Sequence, residues 1–378
     1  MRVELIATAT FGLEAVVKRE LQNLGYGDVN VSDGRVDFAG DLKAVPRANL
    51  WLRSADRVLL KVGEFKASTF DELFEKTKVL PWSDWIPPDG RFPVNGKSIK
   101  SRLFSISDCQ AIVKKAVVES LKRKYTVEWF PETGLEFVIQ VALLNDVATL
   151  TLDTSGEGLH KRGYRREAGE APLKETLAAA LVELSYWRKD RLLLDPFCGS
   201  GTIPIEAALI GRNIAPGLNR SFASESWPAL DRNLWKEARV EAFRAIDNGA
   251  AIRILASDVD PQAVTIAREN AAEAGVEDCV EFAVKPLREV ALPGKYGIVI
   301  TNPPYGQRIG AKKELGKLYQ DMGKIIGVDP TWSVYVLTAD ENFESFYGAR
   351  ADRKRKLYNG NIKVDYYQFY GKRPPRNP

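Results

Sequence analysis

The alternation of hydrophobic and polar residues divides the chain into three parts. In the first part, Arg2–Thr8 alternates as a half-buried strand does, and Leu13–Leu24 has the spacing of an amphipathic helix. A hairpin turn is expected at Asp33-Gly34 and a second helix at Val45–Leu52. Residues 1–54 are therefore expected to form an α+β element that is too small to carry a catalytic site.

The second part, residues 55–155, also mixes helices and strands. Its helices are expected at Phe70–Val79 and around Ala111–Leu121, and a proline-rich loop lies between them. Its strands are expected at Arg57–Val62, Glu136–Leu144 and Ala148–Asp153. The small and polar run Thr154–Gly158 predicts a hinge before the third part.

From Ala171 onward, short apolar strands alternate with helices, which predicts a doubly wound α/β sheet for residues 156–378. The two last strands are expected to close this sheet as an antiparallel hairpin, and only the tail Gly371–Pro378 has a disordered composition. The strands are expected at Arg191–Leu194, Ile252–Asp258, Val280–Val284, Gly297–Ile300, Trp332–Leu337 and Val364–Tyr370.

A glycine-rich segment follows the strand Arg191–Leu194 and opens the helical stretch Ile203–Ile210. It runs from Asp195 to Thr202 and contains Gly199 and Gly201. Glycines at this place let the backbone approach a ligand that lies across the strand end. The segment predicts a cofactor site.

About a hundred residues later, the sequence Asn302-Pro303-Pro304-Tyr305 ends another buried strand. It looks like the catalytic motif of S-adenosylmethionine (SAM) dependent methyltransferases that modify amino nitrogens on planar systems. The Asn302 side-chain oxygen and the Pro303 carbonyl would each accept one N–H of the amine, and Tyr305 would stack on the base. The tetrapeptide alone could be a stiff turn, but its pairing with the glycine segment favours a catalytic site.

The strand Ile252–Asp258 ends in an acid that suits the ribose hydroxyls of the cofactor. Asp258 comes later than in dinucleotide-binding proteins because the insertion Gly211–Ala251 precedes it, and Asp260 is expected to cap the next helix ahead of Pro261. A dehydrogenase is the competing interpretation, against which the Asp195 start and the Asn302 motif speak. Lys285-Pro286 stands where many SAM enzymes have an acid near the adenine, which leaves adenine recognition open.

Composition narrows the class of protein. The 378 residues are 45% hydrophobic and 28% charged, with no apolar run of 18 residues and no signal peptide, which indicates a soluble multidomain enzyme outside membranes. The three cysteines, Cys109, Cys198 and Cys279, are far apart, and His160 is the sole histidine. We therefore expect no metal site, no disulfide framework and no histidine-based triad, in a reducing cytoplasm.

The net charge of +4 is small, but basic residues cluster between Lys97 and Lys124. Part of this cluster lies on the helix around Ala111–Leu121, whose apolar side is expected to pack inward. The cluster is either a surface that contacts phosphates or an ordinary solvated helix face. Two further basic segments, His160–Arg166 and Arg353–Lys356, favour the first possibility.

The whole chain resembles the bacterial THUMP-domain methyltransferases. The resemblance is carried by the glycine segment, by Asn302–Gly310, by the junction Leu159–Arg165 and by Lys356–Gly360. This family methylates guanine N2 in 23S ribosomal RNA, and its short members are often labelled N6-adenine-specific DNA methylases because they share the catalytic motif. The resemblance implies a ferredoxin-like element over 1–54, a THUMP RNA-binding domain over 55–155 and a Rossmann-like class I SAM methyltransferase domain over 156–378.

The resemblance and the motifs together give a set of expected site residues. Catalysis is assigned to Asn302, Pro303 and Tyr305. SAM, which leaves as S-adenosylhomocysteine (SAH), is expected on Pro172, Leu173, Lys174, Asp195, Pro196, Cys198, Gly199, Ser200, Gly201, Thr202, Asp258 and Asn302. RNA is expected on Lys97, Lys100, Arg102, Lys114, Lys115, Lys122, Arg123, Lys124, His160, Lys161, Arg162, Arg165 and Arg308.

Several alternatives stay open at the level of sequence. His160 could contact RNA or pack the junction, and Arg308 could contact a phosphate or start a helix. The expected substrate is 23S RNA or a ribosome assembly intermediate. A tRNA guanine-N2 methyltransferase is the nearest rival, followed by an adenine-N6 DNA methyltransferase and a protein-glutamine methyltransferase, which would use the same catalytic residues. An inactive RNA-binding protein would be expected to lack the glycines or Asn302.

Overall fold

A computed structural model describes residues 1–165, 173–305 and 311–375, and for 311–313 it describes the backbone alone. Contacts between Cα atoms divide the chain into two compact units. Unit 1 contains Met1–Ala9, Lys18–Leu159 and Ser221–Glu241, and unit 2 contains Thr10–Val17, His160–Arg220 and Ala242–Pro378. The three-part division at 54/55 and 155/156 stays a prediction.

Unit 1 is built on a seven-stranded sheet with the strand order β2-β3-β1-β4-β7-β6-β5. All its strand pairs are antiparallel except β5 with β6. The strands are β1 (Arg2–Ala9), β2 (Val29–Ser32), β3 (Arg35–Asp41), β4 (Ala55–Lys66), β5 (Val94–Ile99), β6 (Ile139–Leu144) and β7 (Val147–Asp153). The helices are α1 (Glu14–Asn23), α2 (Ala44–Trp51), α3 (Phe70–Lys78) and α4 (Ile106–Tyr125).

The predicted basic helix is α4, and its burial follows the helical period. Its buried residues recur every three or four positions along one face, so the helix packs that face inward and leaves the rest to solvent. These residues are Cys109, Val113, Ala116, Val117 and Leu121. The helix ends at Thr126, whose left-handed backbone (φ 53°) stops the hydrogen-bond ladder.

The predicted hinge is wrong at its first two residues. Thr154 and Ser155 are fully buried in unit 1. The Thr154 hydroxyl donates to the carbonyl of Val58 at 2.6 Å, and the Ser155 hydroxyl donates to the side chain of Asn49 at 2.7 Å. Small polar residues suit a linker, but they also suit a buried turn whose hydroxyls satisfy backbone groups.

The insertion Gly211–Ala251 contains ordered structure that the sequence did not indicate. Its segment Ser221–Glu241 belongs to unit 1 and includes most of α7 (Arg232–Arg244). Within unit 1, the fully buried Trp227 packs against Phe137 with ring centroids 5.1 Å apart. The Ser224 hydroxyl donates to the carbonyl of Thr154 at 2.9 Å. The insertion therefore supplies part of the unit 1 core.

Unit 2 has the predicted doubly wound sheet, with the strand order β10-β9-β8-β11-β12-β14-β13. The first five strands in this order are parallel, and β14 runs antiparallel to both of its neighbours, β12 and β13. The strands are β8 (Leu193–Asp195), β9 (Ile254–Asp258), β10 (Val280–Val284), β11 (Ile298–Thr301), β12 (Ser333–Thr338), β13 (Arg353–Asn359) and β14 (Ile362–Phe369). Its helices are α5 (Glu175–Glu183), α6 (Thr202–Gly211), α8 (Pro261–Glu273), α9 (Ala311–Ile326) and α10 (Phe343–Tyr347).

Both faces of this sheet are buried, which explains its continuous apolar runs. In β11, Ile298 and Ile300 join one hydrophobic cluster, and Val299 joins the cluster on the opposite face. The chain order reverses between β8 and β11. That reversal point is where open α/β sheets bind ligands, at the carboxyl ends of the strands.

The predicted carboxyl-terminal hairpin is only partly correct. The strands β12 and β14 do pair antiparallel, but α10 and β13 come between them in the chain. The hairpin partner of β14 is β13, which begins with the basic run Arg353–Lys356. Charged side chains on an edge strand are common, because they protect the open edge of the sheet from pairing with other chains.

Gly323 is a position where the packing of unit 2 requires glycine. A Cβ atom there would collide with the backbone carbonyl oxygen of Tyr347, where α10 passes α9. We expect Gly323→Ala to lower the free energy of unfolding by about 1–3 kcal/mol, because the backbone must shift. Urea denaturation measures this. Gly27→Ala is the matched control, since no atom lies within 4 Å of its added methyl, and an equal loss in both variants would contradict the packing argument.

Candidate functional site

A cavity of about 730 Å³ opens at the carboxyl ends of β8, β9 and β11 in unit 2. It is where the glycine segment, the acid that ends β9 and the Asn302 motif meet. Its described lining is Leu173, Asp195, Phe197, Cys198, Gly199, Ser200, Thr202, Ile203, Asp258, Val259, Asp260, Gln262, Ala263, Ile266, Asn302, Pro304 and Leu318. The volume lies within the usual range for small-molecule and cofactor sites.

The glycine segment takes backbone conformations that other residues rarely adopt. Gly199 and Gly201 have φ angles of +51° and +82°. A Cβ on Gly201 would also lie 3.0 Å from the Ala267 side chain, so glycine is required for both reasons. The Gly199 N–H donates to Asp258 Oδ2 at 2.9 Å, which ties the segment to the end of β9.

Asp258 lines the cavity as predicted, and half of its acceptor capacity remains for a ligand. Its carboxylate accepts the N–H groups of Gly199 and Asp260, at 2.9 and 3.1 Å, and a carboxylate has about four acceptor positions. The predicted cap is confirmed, because the Asp260 side chain accepts the Gln262 N–H at 2.9 Å and starts α8. Next to them, Val259 exposes 69% of its surface at the cavity.

Asp195 joins the ends of the two central strands. Its Oδ1 accepts the hydroxyl of Thr301, the last residue of β11, at 2.6 Å, and the Phe197 N–H at 3.2 Å. Burial raises the pKa of Asp195 to about 7, and these two hydrogen bonds oppose the rise. A carboxyl group that titrates near neutral pH therefore lies in the cavity wall.

The Asn302 motif is held from two sides. The hydroxyl of the buried Tyr319, on α9, donates to the Pro304 carbonyl at 3.2 Å and also contacts the Thr338 hydroxyl at 3.0 Å. The Tyr305 hydroxyl donates to Asn302 Oδ1. Burial raises the pKa of Tyr305, so this hydroxyl keeps its proton. Asn302 lines the cavity and Pro303 is buried behind it.

The junction arginines do not lie where the sequence suggested. The Arg162 side chain is 3% exposed and pairs with the fully buried Glu206 at 3.4 Å, and Tyr164 donates to the same carboxylate at 3.1 Å. A guanidinium buried with a carboxylate is not available to RNA phosphates. The prediction that Arg162 contacts RNA is therefore wrong. The pairing could not be foreseen from the sequence, because Glu206 lies 44 residues away in the chain.

Arg165 also faces inward. Its guanidinium pairs with Glu175 at 3.1 Å and donates to the Thr202 hydroxyl at 2.7 Å and to the Leu173 carbonyl at 3.2 Å. Burial raises the pKa of Glu175, and Arg165 opposes that rise. Because Thr202 and Leu173 line the cavity, Arg165 fixes part of its wall and is withdrawn from the RNA-contacting set.

The other residues that were predicted to contact RNA differ in how far their side chains are exposed. His160 is half-buried, and burial together with the nearby Lys174 lowers its pKa to about 4. In unit 1, Lys114 pairs with Glu132 at 2.6 Å and Lys122 lies 3.6 Å from Glu119. The exposed cations are Lys97, Lys100, Arg102, Lys115, Arg123, Lys124 and Lys161. Pro172 and Arg308 lie outside the described residues.

Among the predicted cofactor residues, Lys174, Pro196 and Gly201 stand beside the cavity lining without contributing to it. The backbone N–H of Lys285 donates to the backbone carbonyl of Asp258 at 2.9 Å, and Lys285 is not among the residues that line the cavity. Sequence reasoning missed Thr301 and Tyr319. Thr301 directly precedes Asn302 and could have been suspected, whereas nothing local to Tyr319 indicates which carbonyl it contacts.

The described residues contain no group of three or more histidine, cysteine or acidic side chains suited to a metal ion. Cys109, Cys198 and Cys279 are buried free thiols. In the part of the chain that the structure describes, no helix has the length and apolar character needed to cross a bilayer.

Comparison with known proteins places these features in a family. Residues 162–368 match the family described as "RMKL-like, methyltransferase domain", residues 4–59 match the "RlmL ferredoxin-like domain", and residues 67–153 match the THUMP domain. A Bacillus subtilis (strain 168) protein named "Putative RNA methyltransferase YpsC" is 53% identical over 375 residues, covering 98% of this chain and 97% of its own.

Two solved structures share nearly the whole chain. A protein from Listeria monocytogenes str. 4b F2365, described as a predicted N6-adenine-specific DNA methylase, is 52% identical with a TM-score of 0.94, covering 98% of this chain and 97% of its own. A second protein, described as "SMU.472, a putative methyltransferase complexed with SAH", is 46% identical with a TM-score of 0.93, and the match covers 99% of each chain. The chain therefore belongs to the RMKL-like methyltransferase family, with an RlmL-type ferredoxin-like domain and a THUMP domain ahead of its catalytic part.

Proposed function

We propose that this protein transfers a methyl group from SAM to the exocyclic N2 amine of a guanine in 23S ribosomal RNA. The observation that carries the proposal is the Asn302 amide at a strand end, in the same cavity as the glycine segment and Asp258. The relative SMU.472, complexed with SAH, supports the cofactor, and the YpsC name and the THUMP match support an RNA substrate. The choice of 23S RNA rests on the resemblance of the sequence motifs to the family that methylates guanine N2 in that RNA.

We infer the orientation of SAM from the polar and apolar groups of the cavity lining. Its ribose hydroxyls suit the two remaining acceptor positions of Asp258, and its adenine suits the apolar surface of Val259. The methionine part then lies along the backbone of Gly199–Gly201, near Asp195. In this orientation the sulfonium methyl faces the end of β11, where Asn302 lies.

The acceptor amine needs positioning more than it needs a base. The exocyclic nitrogen of guanine shares its lone pair with the ring, so it is a weak nucleophile. Asn302 Oδ1 accepts one hydrogen bond from Tyr305 and retains a second lone pair for an amine N–H. An amide does not bind the cationic cofactor as a carboxylate would, and the amine loses its proton after transfer. Orientation in a desolvated pocket provides the rate.

RNA would be held mainly by unit 1. Its exposed cations on α4 and around β5 are Lys97, Lys100, Arg102, Lys115, Arg123 and Lys124. Lys114 and Lys122 contribute less to such a surface, because each already has an acidic neighbour. Phosphate contacts by the exposed set would give affinity without base specificity.

Arg165 acts as a positioning residue in this proposal. It connects the junction segment to Thr202 and Leu173, two residues of the cavity wall. Lys161, four residues earlier, is exposed and remains a proposed RNA contact. The junction can therefore hold the wall of the SAM cavity with one residue and the RNA with another.

The role of the Asn302 amide can be tested by removing its acceptor. Asn302→Ala should slow methyl transfer by about two orders of magnitude or more, by analogy with the loss of one preorganised hydrogen bond, and should leave SAM affinity unchanged. Single-turnover assays with tritiated SAM and saturating RNA measure the rate. Tyr305→Phe, which keeps the ring, should lose less than about tenfold. Equal turnover by Asn302→Ala and the parent would refute the role.

The role of Arg165 predicts a defect in cofactor binding. Arg165→Gln should weaken SAM about tenfold because two hydrogen bonds and an ion pair to the cavity wall are lost, and Arg165→Lys should restore part of the affinity. Titration calorimetry measures both. The control is Arg244→Gln, an exposed arginine of the same unit. Parent-like SAM affinity in Arg165→Gln would show that the arginine is not needed for the cavity.

The substrate is tested by nucleoside mass spectrometry. The protein with SAM and unmodified 23S RNA should yield N2-methylguanosine, and with duplex DNA it should yield no N6-methyladenine, because the THUMP domain is an RNA-type module. If N2-methylguanosine forms in transfer RNA and not in 23S RNA, the chemistry stands and the substrate is transfer RNA. Methyladenine in DNA, with none of the RNA products, would overturn it.

A further inference from the structure

A second cavity, of about 580 Å³, lies at the opposite end of the unit 2 sheet. It forms where β8 and β12 begin and where β14 ends, whereas the methyltransferase cavity lies at the carboxyl ends of the parallel strands. It is lined by Ser185, Tyr186, Trp187, Arg188, Arg191, Ser333, Tyr370, Gly371, Lys372, Arg373 and Pro374. The proposed transfer reaction uses none of these residues.

Two tyrosines form an exposed aromatic wall in this cavity. Tyr186 and Tyr370 expose 52% and 37% of their surface, and their ring centroids are 5.0 Å apart. The backbone N–H of Tyr186 donates to the hydroxyl of Tyr335 at 3.0 Å, and the Tyr186 ring packs edge-on against the Tyr335 ring, with centroids 6.5 Å apart. The Tyr370 ring is held by its hydroxyl, which donates to Gln368 at 2.8 Å. Fixed, exposed aromatic rings are the surfaces on which unpaired bases stack.

The charged residues in the described lining of this cavity are all cations. They are Arg188, Arg191, Lys372 and Arg373, and no acidic residue in the described part of the chain lines the cavity. Arg191 is held rigidly, because its guanidinium donates to the carbonyl oxygens of Tyr296 at 2.8 Å and of Tyr186 at 3.0 Å. Two acids stand outside the lining. Asp190 lies 3.4 Å from Arg188 at the surface, and Asp352 accepts the Tyr370 N–H at 2.7 Å.

The methyltransferase cavity differs in charge. Its lining includes Asp195, Asp258 and Asp260, which suit a cationic cofactor. A cavity with four cations, no lining acid and an aromatic wall instead suits a phosphorylated planar ligand. Its volume lies in the range of small-molecule sites and admits one nucleotide. A base pair inside a duplex presents no free face to the tyrosines, so the nucleotide must be unpaired.

We propose that this cavity binds an unpaired nucleotide of the RNA substrate, with its base on Tyr186 and Tyr370 and its phosphate beside Arg188, Lys372 and Arg373. The proposal rests on the proposed function for the identity of the ligand as RNA. It adds a contact on the methyltransferase unit that is separate from the THUMP domain and from the target base. The RNA is then held at a second point while its target guanine occupies the pocket of Asn302.

The aromatic contact is tested with a matched pair of variants. Tyr186→Ala should weaken binding of an unmodified 23S RNA transcript about tenfold, since base stacking on an aromatic side chain is lost. Tyr186→Phe keeps the ring and should bind as the parent does. Filter binding measures both, and SAM affinity serves as the check on folding. A short single-stranded oligoribonucleotide should show the same order of affinities, and the corresponding duplex should not.

The phosphate contact is tested by charge reversal. The triple variant Arg188→Glu, Lys372→Glu and Arg373→Glu should weaken RNA binding and reduce the slope of log affinity against log salt by about 0.7, as expected for one lost phosphate contact to a single strand. The control reverses three exposed cations outside the cavity: Lys236→Glu, Arg244→Glu and Lys324→Glu. Equal losses in both triple variants would mean that net charge alone is responsible and would overturn the proposal.

The outcomes separate this proposal from the proposed function. If the parent methylates RNA and the cavity variants bind RNA as the parent does, the second site is refuted and the function stands. If the variants lose RNA affinity as expected but the parent transfers no methyl group to RNA, the second site is supported and the function is refuted. A parent that binds no RNA refutes both.

Discussion

The hydrogen bond from the Thr301 hydroxyl to the buried Asp195 carboxyl holds the two halves of the site together. Asp195 is the first residue of the glycine segment, and Thr301 directly precedes Asn302. The bond spans the point where the strand order reverses, between β8 and β11. It therefore fixes the distance between the cofactor segment and the proposed catalytic amide. An error of about one ångström in such a distance costs orders of magnitude in rate.

Other contacts support the same strand ends from outside. Tyr319 holds the backbone of the Asn302 motif, Asp258 holds Gly199, and Arg165 holds Thr202. Each contact joins a residue at a strand end or helix start to a second element, so the site depends on the rigid sheet rather than on a single loop. Sites supported in this way keep their geometry because each side chain has a fixed neighbour.

Much of this site could be predicted from the sequence. The glycine segment, Asp258 and Asn302 follow buried strands, and the carboxyl ends of adjacent parallel strands meet at one sheet edge, so their meeting follows from local pattern alone. The strands β5 and β13 were missed because edge strands lack continuous apolar runs; β5 contains Gly96 and β13 begins with four cations. The helix α7 was missed because its insertion looked like a loop.

The partners of charged side chains could not be predicted in the same way. Arg162 and Arg165 stand in a basic segment that resembles an RNA contact, yet their carboxylates come from Glu206 and Glu175, which only the fold brings near. A sequence gives the sign of a charge but not its long-range neighbour. This is why the junction needed correction while the strand-end residues did not.

The proposed cofactor site depends most directly on Asp195, and the pH dependence of SAM affinity tests the role of this residue. The pKa of Asp195 is about 7 in the free protein, and a cationic ligand favours the ionised carboxyl. SAM affinity should therefore rise as pH increases through about 7 and then level off. Binding measured by calorimetry from about pH 5.5 to about pH 8.5 covers this range, in which His160, with a pKa of about 4, stays neutral.

Two variants isolate the carboxyl in this measurement. Asp195→Asn should remove the rise, apart from any titration of SAM itself. Thr301→Val removes a hydrogen bond that lowers the pKa, so it should shift the rise to higher pH. The proposed role of Asp195 is contradicted if the parent protein has the same pH dependence of SAM affinity as Asp195→Asn, or if the profile of Thr301→Val is not shifted.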